Sequence, residues 1–213
     1  MDERSLRLRS DYYDEIMSHF REKHPGMIDA AYEFFWDEED PEEFLGGISM
    51  ELGFLNFEDW FLCDWVAPDH GNPIEIYIKE KEIADPDKLD VFGRMRRSVL
   101  SLFEVESLVR QGKFKIKDLL LGGTVELSAA PADGMASGDV FGARRLELKG
   151  SSFLGACLYP FTAAFKGRAL EYVQANFNRY SRNKKPGADM GEFLKEEAYS
   201  INLAWTSCLL KKG

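Results

Sequence analysis

The spacing of apolar positions divides the chain into three stretches. Between residues 9 and 24, Tyr13, Ile16, Met17 and Phe20 recur at helical spacing until Pro25-Gly26 stops them. Met27–Trp36 predicts a second short helix, with Ile28, Ala31, Tyr32 and Phe35 on one face. The acidic run Asp37-Glu38-Glu39-Asp40-Pro41-Glu42-Glu43 reads as a solvated turn and the first turn of the next helix, where carboxylates suit the positive dipole end. Phe57, Trp60, Phe61 and Trp65 then form an aromatic stripe, with Glu58 and Asp59 on the other side. Ala67–Pro73 is a turn, Pro73 fits the first position of a helix running to Lys81, and Asp85–Arg97 predicts another.

The period changes at Val99. Phe103, Val105, Ser107 and Val109 alternate with Glu104, Glu106, Leu108 and Arg110, and alternation resumes at Lys113 after Gln111-Gly112, a hairpin signal. A two-residue loop there pairs Val109 with Phe114, Ser107 with Ile116 and Glu106 with Lys117. Val125–Ser128 is a third strand. Asp139–Leu148 and Ser152–Tyr159 form a second hairpin around Lys149-Gly150, and Gly142 marks a bulge or bend. Helical spacing returns after Thr162 with Phe165, Ala169, Val173 and Phe177. Asp189 and Glu192 form a capping-box-like pair, and Leu194, Ala198, Ile201, Trp205 and Cys208 make a core seam. The predicted architecture is α+β and one compact unit over 1–213. Helices fill 1–98, a small antiparallel sheet or partly open barrel fills 99–161, and helices over 162–213 pack back on it.

At 213 residues, with 45% hydrophobic and 30% charged residues, the chain has the composition of a single globular domain that needs neither disulfide nor metal to fold. The charged start Met-Asp-Glu-Arg-Ser-Leu-Arg lacks the apolar region of a secretory signal. The longest uncharged run, 16 residues between Lys149 and Lys166, is too short for a membrane helix, so no membrane partner is expected. Cys63, Cys157 and Cys208 form no disulfide framework and read as buried hydrophobes in a reducing, bacterial-type cytoplasm. Charge is uneven. Residues 1–90 carry 8 basic and 25 acidic side chains, net −17, and residues 91–213 carry 19 and 12, net +7. Either the halves dock on each other or one of them meets a partner.

Catalytic and metal motifs are weak. Gly150 and Gly155 have P-loop spacing but precede Ala156-Cys157, with no lysine for a phosphate. Gly47-Ile48-Ser49-Met50-Glu51 places Glu51 where a nucleophile elbow needs glycine. His19 and His24 are five apart, off a common helical face, whereas ligating pairs prefer four. His70, with Asp69 and Asp64, has the residue types for a divalent ion, against the plainer reading of an exposed turn. Cys63 among aromatics and Cys208 on an apolar seam read as inert. These observations lead to no expected catalytic residue, cofactor or metal.

The candidate interaction surface is Lys113, Lys115, Arg144 and Arg145. Period two places Lys113, Lys115 and Lys117 on one strand face, and the arginines add charge in the same half. That face suits a phosphate backbone, unless Glu104 and Glu106 neutralise it. No aromatic alternates with the lysines on their own face, so base stacking lacks support.

Four segments together resemble a family of uncharacterised bacterial proteins, many of which carry a zinc-binding SEC-C motif. They are Asp59-Trp60-Phe61-Leu62-Cys63-Asp64, Leu102-Phe103-Glu104-Val105, Lys117-Asp118-Leu119-Leu120-Leu121-Gly122 and Gly138-Asp139-Val140-Phe141-Gly142-Ala143-Arg144. The match spans about residues 57–160 in order and spacing. The SEC-C cysteines are absent, since the chain ends Cys208-Leu209-Leu210-Lys211-Lys212-Gly213, so zinc does not carry over. The resemblance implies no activity. The expected function is a cytosolic, non-catalytic protein-interaction module. The alternatives are a nucleic-acid-associated protein using the basic sheet face, and an enzyme whose site one sequence does not reveal.

Overall fold

The computed structural model describes residues 8–68, 70–109, 113–127, 134–148 and 150–210. A π-helical turn over Arg9–Tyr13 leads into α1 (Asp14–Lys23), followed by α2 (Pro25–Phe35), a 3-10 turn over Pro41–Glu43, α3 (Ile48–Cys63), α4 (Pro73–Glu80) and α5 (Pro86–Arg97). Proline opens α2, α4 and α5, where its missing N–H costs nothing. Asn72 caps α4 by accepting from the Ile74 N–H, and Asp85 caps α5 by accepting from Asp87 and Lys88.

The aromatic helix departs from the expected one-sided stripe. Glu58 and Asp59 are buried in α3 along with Phe57, Trp60, Phe61 and Leu62. The helix is enclosed on all sides at its C-terminal half, so its carboxylates meet cations instead of water: Arg9 and Arg21 hold Glu58 at 2.5 and 2.6 Å.

Six strands form a curled antiparallel sheet: β1 (Leu100–Val109), β2 (Lys113–Asp118), β3 (Thr124–Leu127), β4 (Val140–Leu148), β5 (Ser151–Leu154) and β6 (Tyr159–Phe161). The order is β3-β2-β1-β4-β5, with β6 also on β4. β3 approaches β5 across the curl, giving a half-barrel. The Gln111-Gly112 turn, the first half of the 129–138 loop and Lys149 of the second turn lie outside the described residues.

The hairpin register differs from expectation by one. Val109 pairs with Lys113 and Leu108 with Phe114, which leaves three residues in the connection. The register then shifts between Val105 and Ser107, so that Val105 faces Ile116 and Glu104 faces Lys117. Glu106 is the extra residue of a β-bulge, which restores apolar-to-apolar pairing after an odd loop. Gly142 is no bulge. It pairs in register with Leu102 and Tyr159, and a Cβ there would lie 3.0 Å from Ile201 and 3.1 Å from the Tyr159 Cβ. Its role is close approach of α8 to the sheet.

The chain closes with a 3-10 turn over Ala163–Phe165, α6 (Lys166–Asn183), α7 (Met190–Glu196) and α8 (Tyr199–Leu210). The capping box at Asp189 and Glu192 is present in both directions. The seam from Leu194 to Cys208 is buried, broken between α7 and α8 at Glu197-Ala198. Asn202 of α8 donates to the Phe35 carbonyl at 3.0 Å, tying the last helix to α2. The two faces of the sheet serve two cores. Leu100, Leu102, Val140 and Leu146 pack on the helices, while Phe103, Val105, Ile116, Phe141 and Ala143 fill the inside of the curl. Among the described residues, no helix is long and apolar enough to cross a membrane.

Candidate functional site

Of the four residues expected to form a basic surface, Arg144 is the clearest correction. Period two sends Arg144 and Arg145 to opposite faces of β4, so they cannot share a surface. Arg144 has no exposure and points between the sheet and α3. Its Nε donates to Asp59 Oδ2 at 2.8 Å, its Nη1 donates to the Ser98 carbonyl at 2.8 Å, and its Nη2 pairs with Asp64. Lys195 of α7 completes the cluster, donating to Asp64 Oδ1 at 2.6 Å and to the carbonyls of Cys63 and Ser98. The Tyr13 hydroxyl donates to Asp59 Oδ1 at 2.7 Å. Two carboxylates thus face two cations, which is how buried charges are tolerated.

Burial opposes the charge on Arg144, but Asp59 and Asp64 outweigh it and hold the guanidinium well above its ordinary range. Burial pulls Lys195 down, with Asp64 resisting. Burial pushes the Cys63 thiol up to about 12 and raises Cys157 as well, so neither is a thiolate nucleophile. The cluster therefore fastens the sheet to α3 and α7.

The remaining basic residues are largely engaged locally. Lys115 pairs with Glu106 at 3.0 Å, the bulge residue, and not Lys117 as the expected register required. Lys166 takes Glu104 at 2.5 Å. Arg145 is exposed but meets Glu147 at 3.2 Å. The Lys113 side chain lies outside the described residues. A cavity of about 390 Å³ is lined by Arg94, Arg97 and Arg145, but Asp118 and Glu147 share its wall.

The divalent-ion reading of the 64–70 turn also changes. The Asp64 side chain is spent on Arg144 and Lys195, and Asp69 lies outside the described residues. Ser49 sits in the first turn of α3 and bonds the Gly46 carbonyl, so it is no nucleophile elbow.

His19 and His24 do converge, contrary to the spacing argument. α1 ends at Lys23, and His24 leaves the helix with φ −136° and ψ 48°. The residue before a proline disfavours helical backbone, and Pro25 follows; that was the available signal. Both imidazoles reach one carboxylate at the end of α4. His19 Nε2 lies 2.7 Å from Glu80 Oε2, and His24 Nε2 lies 3.0 Å from both Glu80 oxygens. These hydrogen bonds, His24 first, hold the Glu80 carboxyl below its ordinary value.

Beside His24 an apolar groove of about 390 Å³ runs between α2 and the 64–71 turn, with Met27, Ala30, Trp65, Ala67 and Pro68 in its lining. The turn is braced by Asn72, which donates to the Leu62 and Trp65 carbonyls, and by an Ala67–Gly71 bridge. Phe34, 47% exposed, lies one helical turn beyond Ala30 against Trp65, with ring centroids 5.4 Å apart. Val66 is 57% exposed. Exposed Glu33, Asp37, Glu38, Glu39 and Asp40 lie along and beyond the same end of α2. No protein-family model, curated protein or solved structure matches the chain.

Proposed function

We propose that the chain is a cytosolic, non-catalytic interaction module that takes a basic, partly apolar segment of a partner protein in the groove between α2 and the 64–71 turn. The observation that carries this reading is the exposure of Phe34 and Val66 beside that groove, next to a run of exposed carboxylates. Large apolar side chains left in water beside a concave apolar surface favour an apolar anchor. The acidic residues supply orientation and attraction for lysine and arginine flanking that anchor. Buried Cys63 and Cys157, both free thiols, suit a reducing compartment.

The test is fluorescence anisotropy with a labelled Leu/Lys amphipathic peptide, a scrambled peptide of equal charge and a Leu/Glu counterpart. The expected result is saturable binding of the first, weakened by salt and at least tenfold weaker in Val66→Asp and Phe34→Ser. Equal binding of the scrambled peptide, or unchanged affinity in both variants, overturns the reading. A nucleic-acid role keeps one support, the exposed Lys117 beside Lys115 on β2. Tight RNA binding with a steep salt slope, abolished in Lys113→Glu/Lys115→Glu, would put that role first.

A further inference from the structure

We infer that His19, His24 and Glu80 form a binding site for a divalent first-row transition ion, with Zn²⁺ the best-matched occupant. This inference stands independently of the peptide groove. Three observations carry it.

The first is donor convergence. Two imidazole Nε2 atoms and one carboxylate, drawn from the body of α1, its terminus and the end of α4, all lie within 4.8 Å of one another. Zinc bonds of about 2.0–2.2 Å in tetrahedral array put neighbouring donors roughly 3.4 Å apart. The 2.7–3.0 Å contacts need to open by roughly 0.4–0.7 Å. Glu80 is partly exposed and free to swing that far. Two imidazoles and a carboxylate suit zinc, whereas calcium and magnesium prefer all-oxygen sets.

The second is the field. α1 ends at Lys23 and α4 at Glu80, which brings two negative helix ends to the cluster against the one positive end of α2, which starts at Pro25. With both imidazoles neutral, the three side chains carry one negative charge, which a divalent ion overcompensates only modestly.

The third is tautomer freedom. His19 is buried, and its Nδ1 has no hydrogen-bond partner among the described residues. In the metal-free protein the Glu80 carboxylate accepts from Nε2 and holds the proton there, while Nδ1 has no bond to break when a metal takes Nε2. On binding, each neutral imidazole gives its Nε2 proton to Glu80 or to solvent and takes one up from solvent at Nδ1, so it stays neutral, and the Nε2 lone pair takes the metal. His24 and Glu80 are open to water, leaving the remaining coordination positions to solvent or to an incoming ligand. A three-ligand site with open positions is the arrangement seen where zinc is reactive and not merely structural.

The test uses the whole chain, freed of metal by a chelator. Zn²⁺ titration followed by calorimetry should show one equivalent bound. Co²⁺ should give the visible bands of a four- or five-coordinate nitrogen/oxygen site. Imidazole NMR of the unaltered protein should show the His19 and His24 Nε2 signals moving on Zn²⁺ addition while those of His70 stay. Glu80→Gln and His24→Ala, both at partly exposed positions, should weaken Zn²⁺ at least tenfold. Failure of the unaltered protein to bind Zn²⁺, or binding that moves His70 and leaves His19 and His24 unmoved, overturns the site. Unchanged affinity in both folded variants overturns it equally.

Discussion

Arg144 and Asp59 meet entirely out of water, Nε to Oδ2 at 2.8 Å, across 85 positions of sequence. Removing one member leaves the other as an uncompensated buried charge, which typically costs about 3–5 kcal/mol. Arg144→Met and Asp59→Asn should each lose stability on that scale in urea unfolding. Arg144→Lys should recover little of it, because one ammonium cannot reach Asp59, Asp64 and the Ser98 carbonyl from the positions of the guanidinium nitrogens. Losses under 1 kcal/mol in all three would show that the cluster is not fastening the sheet.

Trp60 packs on Phe35 and Trp65, with Phe34 stacked at 5.9 Å, and is almost wholly buried. Trp60→Ala should cost about 3–5 kcal/mol. An unchanged melting temperature would mean that the aromatic stripe bears no structural weight.

Gly142 lets α8 approach the sheet. Gly142→Ala should cost about 1–3 kcal/mol through overpacking on Ile201 and Tyr159, and Gly142→Val more. Thermal unfolding of the pair checks the order. Equal stability of all three proteins would contradict the contact.

Stability should fall in alkali. Burial raises Cys63 to about 12 and raises Cys157, Tyr13 and Tyr159, so the unfolded chain loses these protons first. A raised folded pKa contributes fully below the unfolded value and is lost as pH climbs towards the folded one. Each such group removes about 1.4 kcal/mol per pH unit within its window. Lys195, lowered by burial, works the other way. Melting temperatures should therefore be flat near pH 8 and drop from pH 9 upwards, less steeply in Cys63→Ala. A flat profile to pH 11 would show that these groups titrate as freely folded as unfolded.

Signals that act over a few residues are legible in the sequence, and those that depend on distant contacts are not. The proline opening α4, the Asp189–Glu192 capping box and the change of period at Val99 act over a few residues, and the structure has each of them. The hairpin register failed because a three-residue connection and the bulge at Glu106 offset each other, and alternation alone carries no length of loop. Period two separates Arg144 from Arg145, but it does not say which of the two faces is buried. What was missing was depth: nothing near Asp59 announces that a cation 85 residues later will neutralise it. The same holds for Glu80, which meets His24 from 56 positions away. The aromatic stripe of α3 is legible from its spacing, but the burial of Glu58 and Asp59 on its other side is not, because it depends on cations from distant elements.

Asp64 and Lys195 stand 131 positions apart. A ribosome adds roughly 5–20 residues per second, so the aspartate precedes its lysine by about 7–26 s. Until Arg144 is made, 80 positions after Asp64 and 85 after Asp59, both carboxylates lack a cation, and burying them is costly. The first half of the chain is thus kept from closing prematurely on itself. Its docking waits for β4 to bring Arg144 and for α7 to bring Lys195. The later elements β4 and α7 thus set when the earlier helices can bury Asp59 and Asp64.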